Sequence, residues 1–205
     1  MSHIKITTDK KLVDFCESIR TCPWIAFDTE FVSEGRYRPE LCLIQVATDK
    51  HLAIIDPIEI GDVTPFWETI AAPGHETIVH AGRGEMEFCF DAIGRQPDRL
   101  FDIQIAAGMI GMDYPAGFRN IAAKILNVTL PKAETRTDWR KRPLSKRQVR
   151  YALDDVRYLG DIVESIKKKL KRLGRTKWLW EEMQSWQSDL AESLLAEQWF
   201  RVSGN

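Results

Sequence analysis

Trp24-Ile25-Ala26-Phe27-Asp28-Thr29-Glu30-Phe31 reads as a strand that carries two acids in apolar company. Residues two apart on an extended chain project from the same face, so Asp28 and Glu30 point the same way. Two neighbouring carboxylates in an apolar segment repel each other and lose hydration, a cost of several kcal/mol unless a cation stands between them. Hard divalent ions such as Mg2+ take oxygen ligands, so a convergent pair of acids makes half a metal site and calls for further acids elsewhere. The alternative is a strand end at which both acids simply reach water.

Outward from this strand the pattern defines an α/β architecture. Residues 4–6 form a short strand, and Thr8 or Asp9 caps a helix with Leu12, Val13, Phe15, Cys16 and Ile19 at helical spacing. Pro23 ends that unit before the Asp-x-Glu strand. Leu41-Cys42-Leu43-Ile44-Gln45-Val46-Ala47 is a second strand, and Asp49-Lys50 turns the chain into Leu52-Ala53-Ile54-Ile55, which predicts an antiparallel meander. From Thr64-Pro65, a helix start, the pattern alternates. It runs helix 65–71, strand 77–80, helix 85–92, strand 100–101 and helix 103–110, so these strands pair in parallel and helices cover the sheet. Residues 117–126 form another helix and 127–144 a basic, Pro-bounded connection. Ser145-Lys146-Arg147-Gln148 has capping-box spacing, which starts a long helix running to about residue 173, before Gly174. Residues 178–200 form a last helix rich in Trp and acids. Residues 1–173 are therefore expected to be the main unit. Residues 174–205 are expected to be a helical extension, packed on it or leading to a further domain.

The 205 residues suffice for one substantial core, and the composition, 44% hydrophobic and 29% charged, is that of an ordinary globular protein. The net charge of -1 hides a local excess. Residues 132–150 hold eight bases against Glu134 and Asp138, a net of +6. Cys16, Cys22, Cys42 and Cys89 lack zinc-ligand spacing and read as buried thiols of a reducing compartment. No apolar run reaches membrane-spanning length and the N-terminus lacks a signal-peptide core, so the expectation is a cytoplasmic protein without a membrane partner.

Three more groups bear on chemistry. Tyr151 and Asp155 lie four apart on the long helix and share a face, while Asp154 is rotated by roughly 100° from Asp155. The plain alternative is a half-buried Tyr151 with both acids in solvent. His80-Ala81-Gly82-Arg83-Gly84-Glu85-Met86-Glu87 places an acid in the first turn of a helix, where helix-dipole stabilisation alone would favour it, and Glu87 competes with Glu85 for any role. His80, alone at a strand end, reads as a hydrogen-bonded structural group or as a substrate contact. Asp102 is expected to cap the helix that follows it.

The order of these groups resembles the three exonuclease motifs of the DEDD superfamily in its Tyr-bearing branch, with ribonuclease D the nearest resemblance. Phe27-Asp28-Thr29-Glu30-Phe31 looks like the first motif, residues 80–87 like the second, and Tyr151-Ala152-Leu153-Asp154-Asp155-Val156 like the third. Asp138-Trp139-Arg140-Lys141-Arg142-Pro143-Leu144 resembles the segment that precedes the third. The resemblance implies a ribonuclease H-like fold and two divalent cations, Mg2+ or Mn2+, held by Asp28, Glu30, Glu85 and Asp155. Tyr151 would orient the attacking water. The implied activity is hydrolysis from single-stranded RNA 3′ ends that releases nucleoside 5′-monophosphates, with precursors of tRNA as possible substrates and a monomer as the favoured state. Lys132, Arg136 and Arg142 are the expected phosphate contacts, and His80 a fourth substrate contact. Glu85 stands where the family has Asp, and the chain stops where bacterial ribonuclease D continues into helical HRDC modules. The alternatives are a DNA 3′-5′ exonuclease, like the exonuclease domain of Werner-type helicases, and an RNA-binding homologue weakened by Glu85.

Overall fold

In the computed structural model, which describes residues 3–34, 38–131 and 137–203 with side chains through 196, six strands form one sheet. They are β1 (Ile4–Ile6), β2 (Trp24–Val32), β3 (Glu40–Thr48), β4 (Leu52–Ile55), β5 (Glu76–Val79) and β6 (Leu100–Asp102), in the spatial order β1-β4-β3-β2-β5-β6. The expected meander is present, since β3 lies antiparallel to both β2 and β4. The expected crossovers are present too, since β5 runs parallel to β2 and β6 parallel to β5. β1 joins the far edge parallel to β4.

Alternation along the strands divides the core in two. Ile25, Phe27, Ile44 and Val46 face one side, where α1 (Asp9–Ile19), α3 (Thr64–Ile70) and α4 (Arg83–Ile93) bury Leu12, Phe15, Phe66, Trp67 and Met86 against them. Ala26, Leu43 and Ala47 face the other, under α5 (Ile103–Met109), α6 (Phe118–Leu126), α7 (Lys146–Arg157) and α8 (Leu159–Leu173). Helices therefore cover both faces. A short α2 (Pro57–Ile60), which the sequence reading left out, follows β4. The local signals explain most starts. Thr8 accepts from the Lys11 backbone N–H to cap α1, and Ser145 and Gln148 form a reciprocal capping box on α7. At α3 the cap lies one residue earlier than expected, on Val63, while Asp62 Oδ1 accepts from the Thr64 backbone N–H at 2.8 Å.

The helix expected from Ser145 to about residue 173 is two helices, broken at Tyr158 (φ -100°, ψ -5°). α7 lies across β2, β3 and β4, whereas α8 reaches β2, β3, β5, α5 and α6. The strands of a sheet twist relative to one another, and the break lets successive helices lie on both halves of it. The start of α8 sits tightly on β2, since a Cβ on Gly160 would stand 2.6 Å from the Trp24 ring. α9 (Thr176–Ser203) then passes the β6 edge, with Leu179 and Met183 in one core and Leu190 and Leu194 in the other. Covering an edge strand in this way blocks its unpaired backbone from other chains. No described helix is long and apolar enough to cross a membrane.

Candidate active site

Pairing between β2 and β5 stops at Ala26↔Ile78, so the stretch of β2 that carries Asp28 and Glu30 runs past the end of β5. The crevice lies at the carboxyl ends of parallel strands, where β2 meets an antiparallel neighbour on one side and a parallel one on the other, the usual place for a ligand in an open α/β sheet. Asp28 and Glu30 share the face with Ala26, beneath α7. Asp155 comes down from that helix, and oxygens of Asp28, Glu30 and Asp155 all lie within 4.8 Å of one another. Glu85, on the first turn of α4, approaches from the other side of β2, and its Oε1 accepts from the Thr29 hydroxyl at 2.6 Å.

These carboxylates burden one another. Burial first, and then the charges of Glu85, Asp155 and Glu30, push Asp28 well above the usual carboxylate range. Burial, with Asp155 and Glu85, pushes Glu30 up to about 8, and burial pushes Asp155 up to about 7 despite the Tyr151 hydroxyl that donates to it. Glu85 is also raised by burial, while the Thr29 hydroxyl pulls it back. Among the described residues no Lys or Arg forms an ion pair with Asp28, Glu30 or Asp155. A divalent cation fits this donor set. Oxygens on one Mg2+ stand about 3–4 Å apart given its bond lengths of roughly 2.0–2.1 Å, and a hard cation relieves the repulsion that keeps these groups protonated.

Tyr151 lies one turn before Asp155. Burial, with the charges of Asp155 and Glu30, drives its phenol far above the ordinary value, so it is a neutral donor at any working pH. Its ring stands 6.1 Å from that of Trp139, tilted by 37°. A cavity of about 140 Å³ is lined by Asp28, His80, Phe118, Tyr151, Asp155 and Leu159. It adjoins a second of about 490 Å³, whose walls include Phe118, Arg119, Asn120, Thr129, Tyr151 and Asp154. His80 is held by a hydrogen bond to the Ala116 carbonyl (3.0 Å) and faces the Phe118 ring at 5.7 Å.

The basic connection behaves differently from the sequence reading. Lys132 and Arg136 lie outside the described residues. Arg142, expected at a phosphate, has its guanidinium forked onto both oxygens of the fully buried Asp56 at 2.6 and 2.7 Å and also donates to the Cys42 and Trp139 carbonyls. It is a structural clamp on α2 and β3. Arg140 pairs with Asp138, an acid already counted in the net +6, while Arg142 and Arg150 pair with Asp56 and Asp154 outside the segment, so two of the six excess charges are neutralised locally. Asp154 is buried, paired also with Arg157, where the sequence reading allowed for a solvated acid. Asp102 caps α5 as expected through Gln104, and it also accepts from the backbone N–H groups of Ala81 and Gly82, fixing the turn between His80 and Glu85. That second role carries no sequence signature, and neither does the placing of Phe118 and Arg119 on the cavity walls.

Residues 3–171 match the 3′-5′ exonuclease family. Ribonuclease D of Sphingobium indicum is 41% identical over 186 residues, covering 89% of this chain and 47% of that protein. Escherichia coli RNase D, whose crystal structure is described as that of an exoribonuclease involved in structured RNA processing, superposes with a TM-score of 0.87 at 37% identity. That match covers 93% of this chain and 51% of the other. NrnC of Brucella melitensis, at 24% identity, shares the fold with a TM-score of 0.78 over 95% of this chain and 93% of its own. The chain spans about half the length of the curated ribonuclease D relatives it matches. With three acids converging under a tyrosine and a fourth behind them, the chain belongs to the 3′-5′ exonuclease family and is ribonuclease D-like within it.

Proposed function

We propose that this chain is a 3′-5′ exoribonuclease of the cytoplasm that removes nucleoside 5′-monophosphates from single-stranded RNA 3′ ends, those of tRNA precursors included. The observation that carries the reading is the convergence of Asp28, Glu30 and Asp155 within 4.8 Å. Two divalent cations, Mg2+ or Mn2+, held by these residues and by Glu85, supply a water of lowered pKa and stabilisation of the leaving 3′ oxygen. Asp28, Glu30 and Asp155 would hold a cation together, and Glu85, hydrogen-bonded to Thr29, would add a carboxylate beside them. Tyr151 orients the attacking water through its oxygen, which accepts from that water while its one O–H donates to Asp155, and a phenol raised above its ordinary pKa does not remove a proton.

The two adjoining cavities suit a terminal and a preceding nucleotide. Phe118 offers a ring for stacking between them and exposed Arg119 a charge for a phosphate. Residues 1–173 carry this chemistry in our reading, with 174–205 an appended helix. The test is digestion of matched 5′-labelled RNA and DNA oligonucleotides with Mg2+, Mn2+ or chelator. Metal-dependent shortening of RNA one nucleotide at a time is expected. Preference for DNA would favour the deoxyribonuclease alternative, and binding without release under either metal would favour the weakened homologue.

A further inference from the structure

Gln45 of β3 is fully buried, and neither its amide oxygen nor its amide nitrogen has a hydrogen-bond partner. Each unmet group costs about 1–3 kcal/mol, and an apolar side chain of the same size would avoid the penalty. Its position gives the reason for keeping it. Gln45 is the direct cross-strand partner of Asp28, and both lie on the face that also carries Ala26, Ala47 and Leu43 beneath α7. Directly opposed residues have Cβ atoms about 4.5–5.5 Å apart, so the amide reaches the Asp28 carboxylate by side-chain rotation alone. On its other flank Gln45 opposes Ile54, which offers it no polar group. Carboxylates that ligate metals are themselves hydrogen-bonded as a rule, and the partners that orient them matter for affinity.

We infer that Gln45 is a positioning residue for Asp28: its amide N–H donates to the Asp28 carboxylate when the site holds its cations and keeps the other oxygen aimed at Glu30 and Asp155. This rests on the reading of those acids as a cation site.

The test compares wild type, Gln45→Met and Asp28→Asn by three measurements. These are thermal midpoint in chelator, Mn2+ affinity by calorimetry, and kcat and KM on a 5′-labelled RNA across a Mn2+ series. Gln45→Met is expected to melt at or above the wild-type midpoint in chelator and to bind Mn2+ about 10- to 100-fold more weakly. Its kcat is expected to fall at limiting Mn2+ and to recover at saturating Mn2+, with KM for RNA unchanged. Wild-type Mn2+ affinity in Gln45→Met, or a lowered midpoint with that affinity intact, would overturn the inference. So would failure of both Gln45→Met and Gln45→Leu to fold, since apolar groups should be tolerated there. Asp28→Asn separates the two readings. If it keeps metal binding and cleavage, the cation site itself is wrong. If it loses them while Gln45→Met matches wild type, only the role of Gln45 fails.

Discussion

Tyr151 and Arg142 show how much a single residue's setting decides. Tyr151 donates to Asp155 from a phenol that burial keeps protonated, so Tyr151→Phe removes a hydrogen bond and no charge. Its kcat at saturating Mn2+ should fall about 10- to 100-fold through loss of orientation, and Mn2+ affinity in calorimetry should weaken as well, because Asp155 loses a donor. An unchanged kcat would leave the hydroxyl without a role. Arg142 was legible as a base near the third motif and nothing more, because a sequence gives a charge without its partner. The partner, Asp56, lies 86 residues away and is wholly buried. Removing one member of a buried pair strands the other, so Asp56→Ala should cost about 3–5 kcal/mol in urea unfolding. A loss below about 1 kcal/mol would contradict the clamp. The convergence of Asp28, Glu30 and Asp155 was readable because each sits in a short motif, whereas the Gln45–Asp28 register and the Thr29–Glu85 contact are pairings that no motif encodes.

At the level of elements, the turn from β5 into α4 is constrained by three separate features. Asp102 accepts from Ala81 and Gly82, Ala81 adopts a left-handed conformation (φ 54°), and a Cβ on Gly82 would stand 2.3 Å from Val79 Cγ2. Gly82→Ala should therefore destabilise the protein by about 1–3 kcal/mol and reduce activity by displacing Glu85. Ala81→Gly should stabilise it by roughly 1 kcal/mol. Thermal melts of the pair check both signs, and equal shifts would contradict the turn's role. The meander and the alternating strands were legible because their periodicity is local. The break at Tyr158 was not, since α7 and α8 read as one continuous pattern and only the twist of the sheet beneath them divides it. The orientation of β1 and the course of α9 past β6 were likewise set by tertiary packing.

Across the whole molecule the acid cluster makes stability depend on pH and metal together. Burial pushes Glu30 up to about 8 and Asp155 up to about 7, and it also raises Asp28 well above the ordinary carboxylate range. Between about pH 4 and pH 8 the folded protein thus holds more protons than the unfolded chain, and stability in chelator falls as pH rises through that window. Divalent metal, which needs the ionised carboxylates, should remove the decline and release protons on binding. Melting curves at pH 5, 6, 7 and 8 with chelator or Mn2+ check this, and a midpoint in chelator that climbs with pH would contradict it. The same repulsion gives the central claim its most direct measurement, which is metal-dependent nucleotide release by Asp28→Asn set beside its melting temperature. A folded protein that melts at or above the wild-type temperature in chelator yet releases no nucleotide with Mg2+ or Mn2+ is the predicted result, and wild-type release from that variant would contradict it.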